Sequence, residues 1–203
     1  VSPILVVPPG NGNPGDPSLP KPMDLEKEAL RVLRPDGKAY IGNKVITKPF
    51  KNGTDDWKHP YRAPDNNPQS QDTVMTRPYL THYMAEPWYC PLPMQSVISG
   101  GRVFKVFGGR SSAKPQEALI NKLICLNAFN GIQLWQRDLS PGFMIHRNTL
   151  IATPDTLYVG DDKSCQLIDP LTGKTRDEIV VSGTLPARGI GLPTPLDGPV
   201  WKW

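Results

Sequence analysis

The sequence predicts a mainly β protein: a partial β-propeller of about two four-stranded blades, preceded by a short helix-strand element and a proline-rich arm. Three observations lead there. Backbone punctuators are dense, with 24 Pro and 18 Gly among 203 residues, too many for a helical bundle yet below the roughly 25 to 30% that marks low-complexity disorder. From Val97 onward short apolar runs alternate with turn signals, the pattern of a sandwich, barrel or propeller. A self-match at an offset of 42 residues then selects the propeller, because about 40 to 45 residues is the length of one blade.

Residues 1–23 hold seven prolines with Gly10, Gly12 and Gly15 between them. Proline lacks the donor that helices and central strands need, so this is an arm, apart from the β-like run Ile4 to Val7. Residues 24–44 form a helix, a turn and a strand. Asp24 can cap a helix through Leu33 in which Leu25, Ala29 and Leu33 share one face. Glu26 and Glu28 lie near its positive end, and Arg31 and Arg34 near its negative end. Pro35-Asp36-Gly37 stops it, and Lys38 to Ile41 reads as a strand.

Residues 45–96 carry little periodicity but many rings, among them Trp57, Tyr61, Tyr79, Tyr83, Trp88 and Tyr89. Each ring offers about 150 to 250 Å² to bury, so the segment is expected to wrap a sheet as a belt. Residues 97–203 contain the blades. Val97-Ile98 and Val103 to Phe107 flank Ser99-Gly100-Gly101, and Leu123 to Ala128 and Ile132 to Trp135 flank Phe129-Asn130-Gly131; both are hairpin signals. Short strands at Thr149 to Ala152, Leu157 to Val159, Cys165 to Ile168 and Thr175 to Val181 continue the series.

The repeat itself is specific. Leu126-Asn127-Ala128-Phe129-Asn130-Gly131 matches Ile168-Asp169-Pro170-Leu171-Thr172-Gly173, each copy following a strand pair. The first copy runs on to Trp135, whereas the second has Asp177 at the equivalent position.

Charge and cysteine usage exclude several classes. The formal charge is +4, with 11 Lys and Arg before residue 101 and 12 after it, so no basic stripe marks a nucleic-acid binder. The longest apolar runs fall far short of the ~18 residues that span a bilayer. Cys90, Cys125 and Cys165 have no C-x-x-C spacing for zinc, and buried or free thiols are the expectation.

Residues 123–135, Leu-Ile-Cys-Leu-Asn-Ala-Phe-Asn-Gly-Ile-Gln-Leu-Trp, resemble the blade motif of the pyrroloquinoline-quinone-like propellers, also called quinoprotein alcohol dehydrogenase-like. Asp55 to Tyr61, Asp65 to Pro68, Tyr79 to Thr81, Ser99 to Phe104 and Phe143 to Arg147 through Ala152 to Tyr158 are similar, in that linear order, to large bacterial proteins of the class. The resemblance spans residues 45–203. It implies structural roles for Asn127, Gly131, Trp135, Asp169 and Gly173, with the Trp packing between neighbouring blades. It also implies a periplasmic or otherwise extracytoplasmic setting. Catalytic members hold a quinone (PQQ) on the propeller axis, near a metal, with side chains from several blades. Two blades cannot enclose such an axis, since closed propellers use about 4 to 8. The remaining blades are therefore expected from the same protein or from other subunits, and the ending Gly198 to Trp203 favours a fragment.

Residues 24–42 show a different resemblance. Glu28 to Ile41, with its Leu-Arg-Pro-Asp-Gly turn, looks like the late helix, turn and strand of class I methyltransferase folds. The Gly-rich cofactor loop of those enzymes has no counterpart in this sequence, which implies at most a remnant.

Candidate chemistry is sparse. Asp55, Asp56, His59 and Asp65, with Asn66 and Asn67, gather hard-cation ligands within 13 residues, although Asx residues beside prolines are equally what turns require, and the turn reading is favoured. His146 and Arg147 follow a Phe-Met-Ile run near a blade end and are the candidates for a cofactor, with a hydrogen-bonded blade-edge role preferred. No catalytic constellation can be assembled from His59, His82 and His146, which lie far apart in sequence. Three functions follow: a non-catalytic propeller segment acting as scaffold in a larger assembly, part of a quinoprotein oxidoreductase passing electrons to a cytochrome, or a methyltransferase-linked enzyme.

Overall fold

The computed structural model describes residues 4–7, 24–75, 83–84, 93–107, 114–139, 150–160 and 164–180. Backbone packing divides the chain into two compact units, Val1–Thr54 with Asp72–Thr76 and Asp55–Gln71 with Arg77–Trp203. The first contains β1 (Ile4–Val7), α1 (Leu25–Val32), β2 (Lys38–Ile41) and β3 (Lys44–Thr47). Asp24 caps α1 as its sequence suggests, accepting from the Lys27 amide at 3.2 Å. Ala29 and Leu33 are buried one turn apart and pack on Ala39 with Ile41 and Ile46. That spacing is the apolar face read from the sequence.

The sheet of this unit runs β1-β2-β3, with β1 parallel and β3 antiparallel to β2. β3 was not legible in the sequence. Within it only Ile46 is partly buried, so the alternation that marks a half-buried strand is too weak to see.

The second unit contains two four-stranded antiparallel sheets, each a simple meander. The first is β4 (Pro93–Ser99), β5 (Arg102–Phe107), β6 (Lys122–Asn127) and β7 (Gln133–Asp138). The second is β8 (Leu150–Ala152), β9 (Leu157–Gly160), β10 (Ser164–Ile168) and β11 (Thr175–Val180). The molecule is thus mainly β, with two sheets of blade design in chain order. β4 begins earlier than Val97, and β7 continues past Trp135. A 3-10 helix over Lys114–Leu119 links β5 to β6 and had no expectation. Its Leu119 packs on Phe107, Ile124 and Leu126, which makes the helix a cover for one face of the first sheet.

The two sheets share a core. Val97, Phe104, Val106, Leu123 and Cys125 of the first meet Leu150, Ala152, Leu157, Val159 and Ile168 of the second. Because β6 is covered on both faces, Leu123 to Asn127 are all buried, which is why that strand reads as an unbroken apolar run. Burying these side chains is the main stabilising term, about 1.5 to 3 kcal/mol for each large one.

The described part of the belt supports the join between the sheets. Trp57 forms an isolated bridge with Ile98 of β4, and the Lys58 carbonyl accepts from the Ala152 amide of β8 at 2.9 Å. Tyr79, Trp88 and Tyr89, named with the belt, lie outside the described residues.

Candidate functional site

The strongest constellation in the described residues is the seam between the two sheets. Its parts begin with the repeated turns. In the first, Asn127 Oδ1 accepts from the Phe129 amide at 2.9 Å, and the Gly131 amide donates to the Asn127 carbonyl at 2.8 Å. In the second, Asp169 Oδ1 accepts from the Leu171 amide at 2.7 Å, and the Gly173 amide donates to the Asp169 carbonyl at 2.8 Å. Gly131 and Gly173 sit at φ +70° and +72°, a left-handed conformation that side chains disfavour. The sequence match is therefore a match of hydrogen-bonded geometry. It is not the two-residue hairpin that Asn130-Gly131 alone would suggest, because four residues lie between Asn127 and Ile132, whose amide and carbonyl close the loop, and of Asn130 and Gly131 only the glycine is left-handed.

Trp135 joins the copies. Its indole Nε1 donates to the Pro170 carbonyl at 3.0 Å, while the ring lies 5.9 Å from that of Phe104 between centroids. Gly173 lies beneath the same ring, and a Cβ there would come within 2.7 Å of it. Arg137, on the same face two residues on, donates to the Gly173 carbonyl and Thr175 Oγ1 at 3.1 Å and to Gln166 Oε1 at 3.0 Å. Burial lowers the pKa of this guanidinium from its ordinary value. Sequence reasoning overlooked Arg137, although its period-two spacing from Trp135 would have placed it on the seam. At the position equivalent to Trp135 the second sheet has Asp177, which is exposed and accepts from the Glu178 amide.

The residues considered as cation ligands, for which the turn reading was favoured, make hydrogen bonds and ion pairs within the protein. Asp55 accepts from the Gln71 amide at 2.8 Å and stands 3.7 Å from Arg62, while Asp65 pairs with Arg62 at 3.1 Å and accepts from the Asn67 amide. Asp56 accepts from Ser99 Oγ at 2.9 Å. His59 pairs with Arg62 through its backbone, and burial lowers its imidazole pKa below the ordinary value. Among the described residues no group of three or more His, Cys, Asp or Glu is placed to hold a metal ion. Asp55 and Asp65 face Arg62, which is 7% exposed, because a buried guanidinium requires acceptors more urgently than a surface turn requires a cation. Arg62, another residue the sequence did not single out, organises the belt turn.

His146 and Arg147 lie outside the described residues, as do Cys90 and His82. Cys125 is buried in the seam, and burial pushes its thiol up to about 12. No helix among the described residues is long and apolar enough to cross a membrane.

No family model and no curated protein matches the chain. A solved structure does resemble it. The crystal structure of BamB from Moraxella catarrhalis is 19% identical, with a TM-score of 0.30, over 43% of this chain and 23% of that one. The blade design is seen in the two sheets and their repeated turns. The methyltransferase resemblance of residues 24–42 has no support in these comparisons.

Proposed function

We propose that the chain is a propeller segment that serves as a scaffold or interaction platform within a larger assembly, outside the cytoplasm. The observation that carries this is how the polar residues of the repeat are used. Asn127 and Asp169 close turns, and Trp135 and Arg137 tie one sheet to the next. Groups committed to holding backbone amides and carbonyls build a rigid joint, which suits a surface that partners bind. The extracytoplasmic setting and the reliance on further blades come from the resemblance of residues 45–203 to the quinoprotein-like class.

The test uses the full-length protein from its source. Purified protein is expected to lack a quinone chromophore and dye-linked dehydrogenase activity, and to migrate in native sizing as a complex heavier than its own mass. A bound quinone together with turnover that reduces a cytochrome would replace this reading with the oxidoreductase one.

A further inference from the structure

The carbonyl that receives Trp135 belongs to Pro170, the second residue of the turn that opens at Asp169. Its counterpart in the first sheet is Ala128, which the repeat offset of 42 carries onto Pro170. The two turns share their amide-to-carbonyl closure, their side-chain acceptor and their left-handed glycine. Their second carbonyls therefore stand at the same place on each sheet. Among the described residues, Ala128 receives no tryptophan. Its carbonyl accepts from the hydroxyl of Tyr83 at 3.0 Å, from a residue 45 positions upstream. Tyr83 is half-buried, and that burial raises its pKa above the ordinary value, so its phenol is a donor throughout the neutral range as any tyrosine is.

We propose that Tyr83 occupies on the first sheet the seat that Trp135 occupies on the second, so that Tyr83 caps this side of the first blade and another blade could dock through this turn only by displacing it. Phenol and indole are both flat apolar rings that end in a hydrogen-bond donor, which is what a seat with one carbonyl requires. Gly131 shares the left-handed backbone of Gly173. Repeat arrays need terminal caps because an end unit otherwise exposes the surface its neighbour would cover. Here the cap comes from the same chain and reuses the hydrogen-bond position of the blade contact. Tyr83 takes this seat whether the assembled protein is a scaffold or an enzyme.

Hydrogen exchange in the full-length protein tests this, comparing the amides of residues 127–132 with those of 169–174. Tyr83→Ala is expected to speed exchange in the first turn about tenfold and to leave the second within about twofold. Trp135→Ala should do the reverse. Tyr83→Trp should hold both turns near their original rates, since an indole N–H fits the same seat. Tyr83→Phe, which removes only the hydroxyl and avoids the risk of a misfolded alanine variant, should speed the first turn alone. Unchanged exchange at residues 127–132 in Tyr83→Phe, equal acceleration of both turns, or a Tyr83→Trp variant as damaged as the alanine one would each overturn the proposal.

Discussion

Trp135 lies so close over Gly173 that a Cβ on the glycine would sit 2.7 Å from two of its ring carbons. Residues 38 positions apart on different sheets are thus fitted to one another. Gly173→Ala introduces both that overlap and a left-handed alanine at φ +72°, and should cost about 2 to 4 kcal/mol. Trp135→Ala alone should cost about 3 to 5 kcal/mol. With the ring removed the overlap vanishes, so in the double variant Gly173→Ala should lose about 1 to 3 kcal/mol of its penalty. Denaturant midpoints for the four proteins measure the coupling, and strict additivity would mean that the two residues do not meet.

Arg137 reaches three acceptors on the second sheet. A lysine keeps the charge but lacks the planar fork, so Arg137→Lys should cost about 1 to 2 kcal/mol in thermal or chemical unfolding. Arg137→Lys matching the original stability would show that charge alone suffices at the seam.

Asp169 titrates below the ordinary carboxylate range, first because the Leu171 amide donates to it and then because Arg176 pairs with it at 2.8 Å. A carboxylate depressed in the folded state adds stability that is complete above its unfolded value near 4 and is lost as pH falls through the lower folded value. The first turn already uses Asn127 in the equivalent role. Asp169→Asn should therefore keep the turn at neutral pH and flatten the acid limb of the stability curve, as urea midpoints between about pH 2 and pH 7 would record. An unaltered acid limb would show that this carboxylate is not linked to folding.

Cys125 has no exposed surface, and its thiol is pushed up to about 12. Thiolate is the reactive form, so alkylation of the native protein near pH 8 should reach Cys125 no faster than the protein unfolds. Peptide mapping after timed iodoacetamide exposure reads this directly. Rapid labelling at Cys125 would mean that the two sheets part locally.

Much of the fold was legible because its signals are local. The Asp24 cap, the Leu25, Ala29 and Leu33 spacing, the Gly100-Gly101 turn and the short apolar runs of β8 and β9 each depend on neighbours a few residues away. β3 and the 3-10 helix escaped because β3 buries little and the helix is ordered chiefly by the sheet it covers. Asp55, Asp56, His59 and Asp65 were read together from proximity in sequence. Arg62 pairs with two of those carboxylates, and Asp56 accepts from Ser99.

The sequence by itself determined the class of the protein, the two meanders and the 42-residue repeat, because turn chemistry and alternating burial are written in adjacent residues. Only the tertiary structure decided what each repeat touches. It set Trp135 over Gly173, sent Arg137 to Gln166 and brought Tyr83 to Ala128. The physical reason is that these contacts end largely on backbone carbonyls and on a glycine with no side chain. Such partners leave no signature in residue type, and they become specific only when folding brings distant segments within hydrogen-bonding reach.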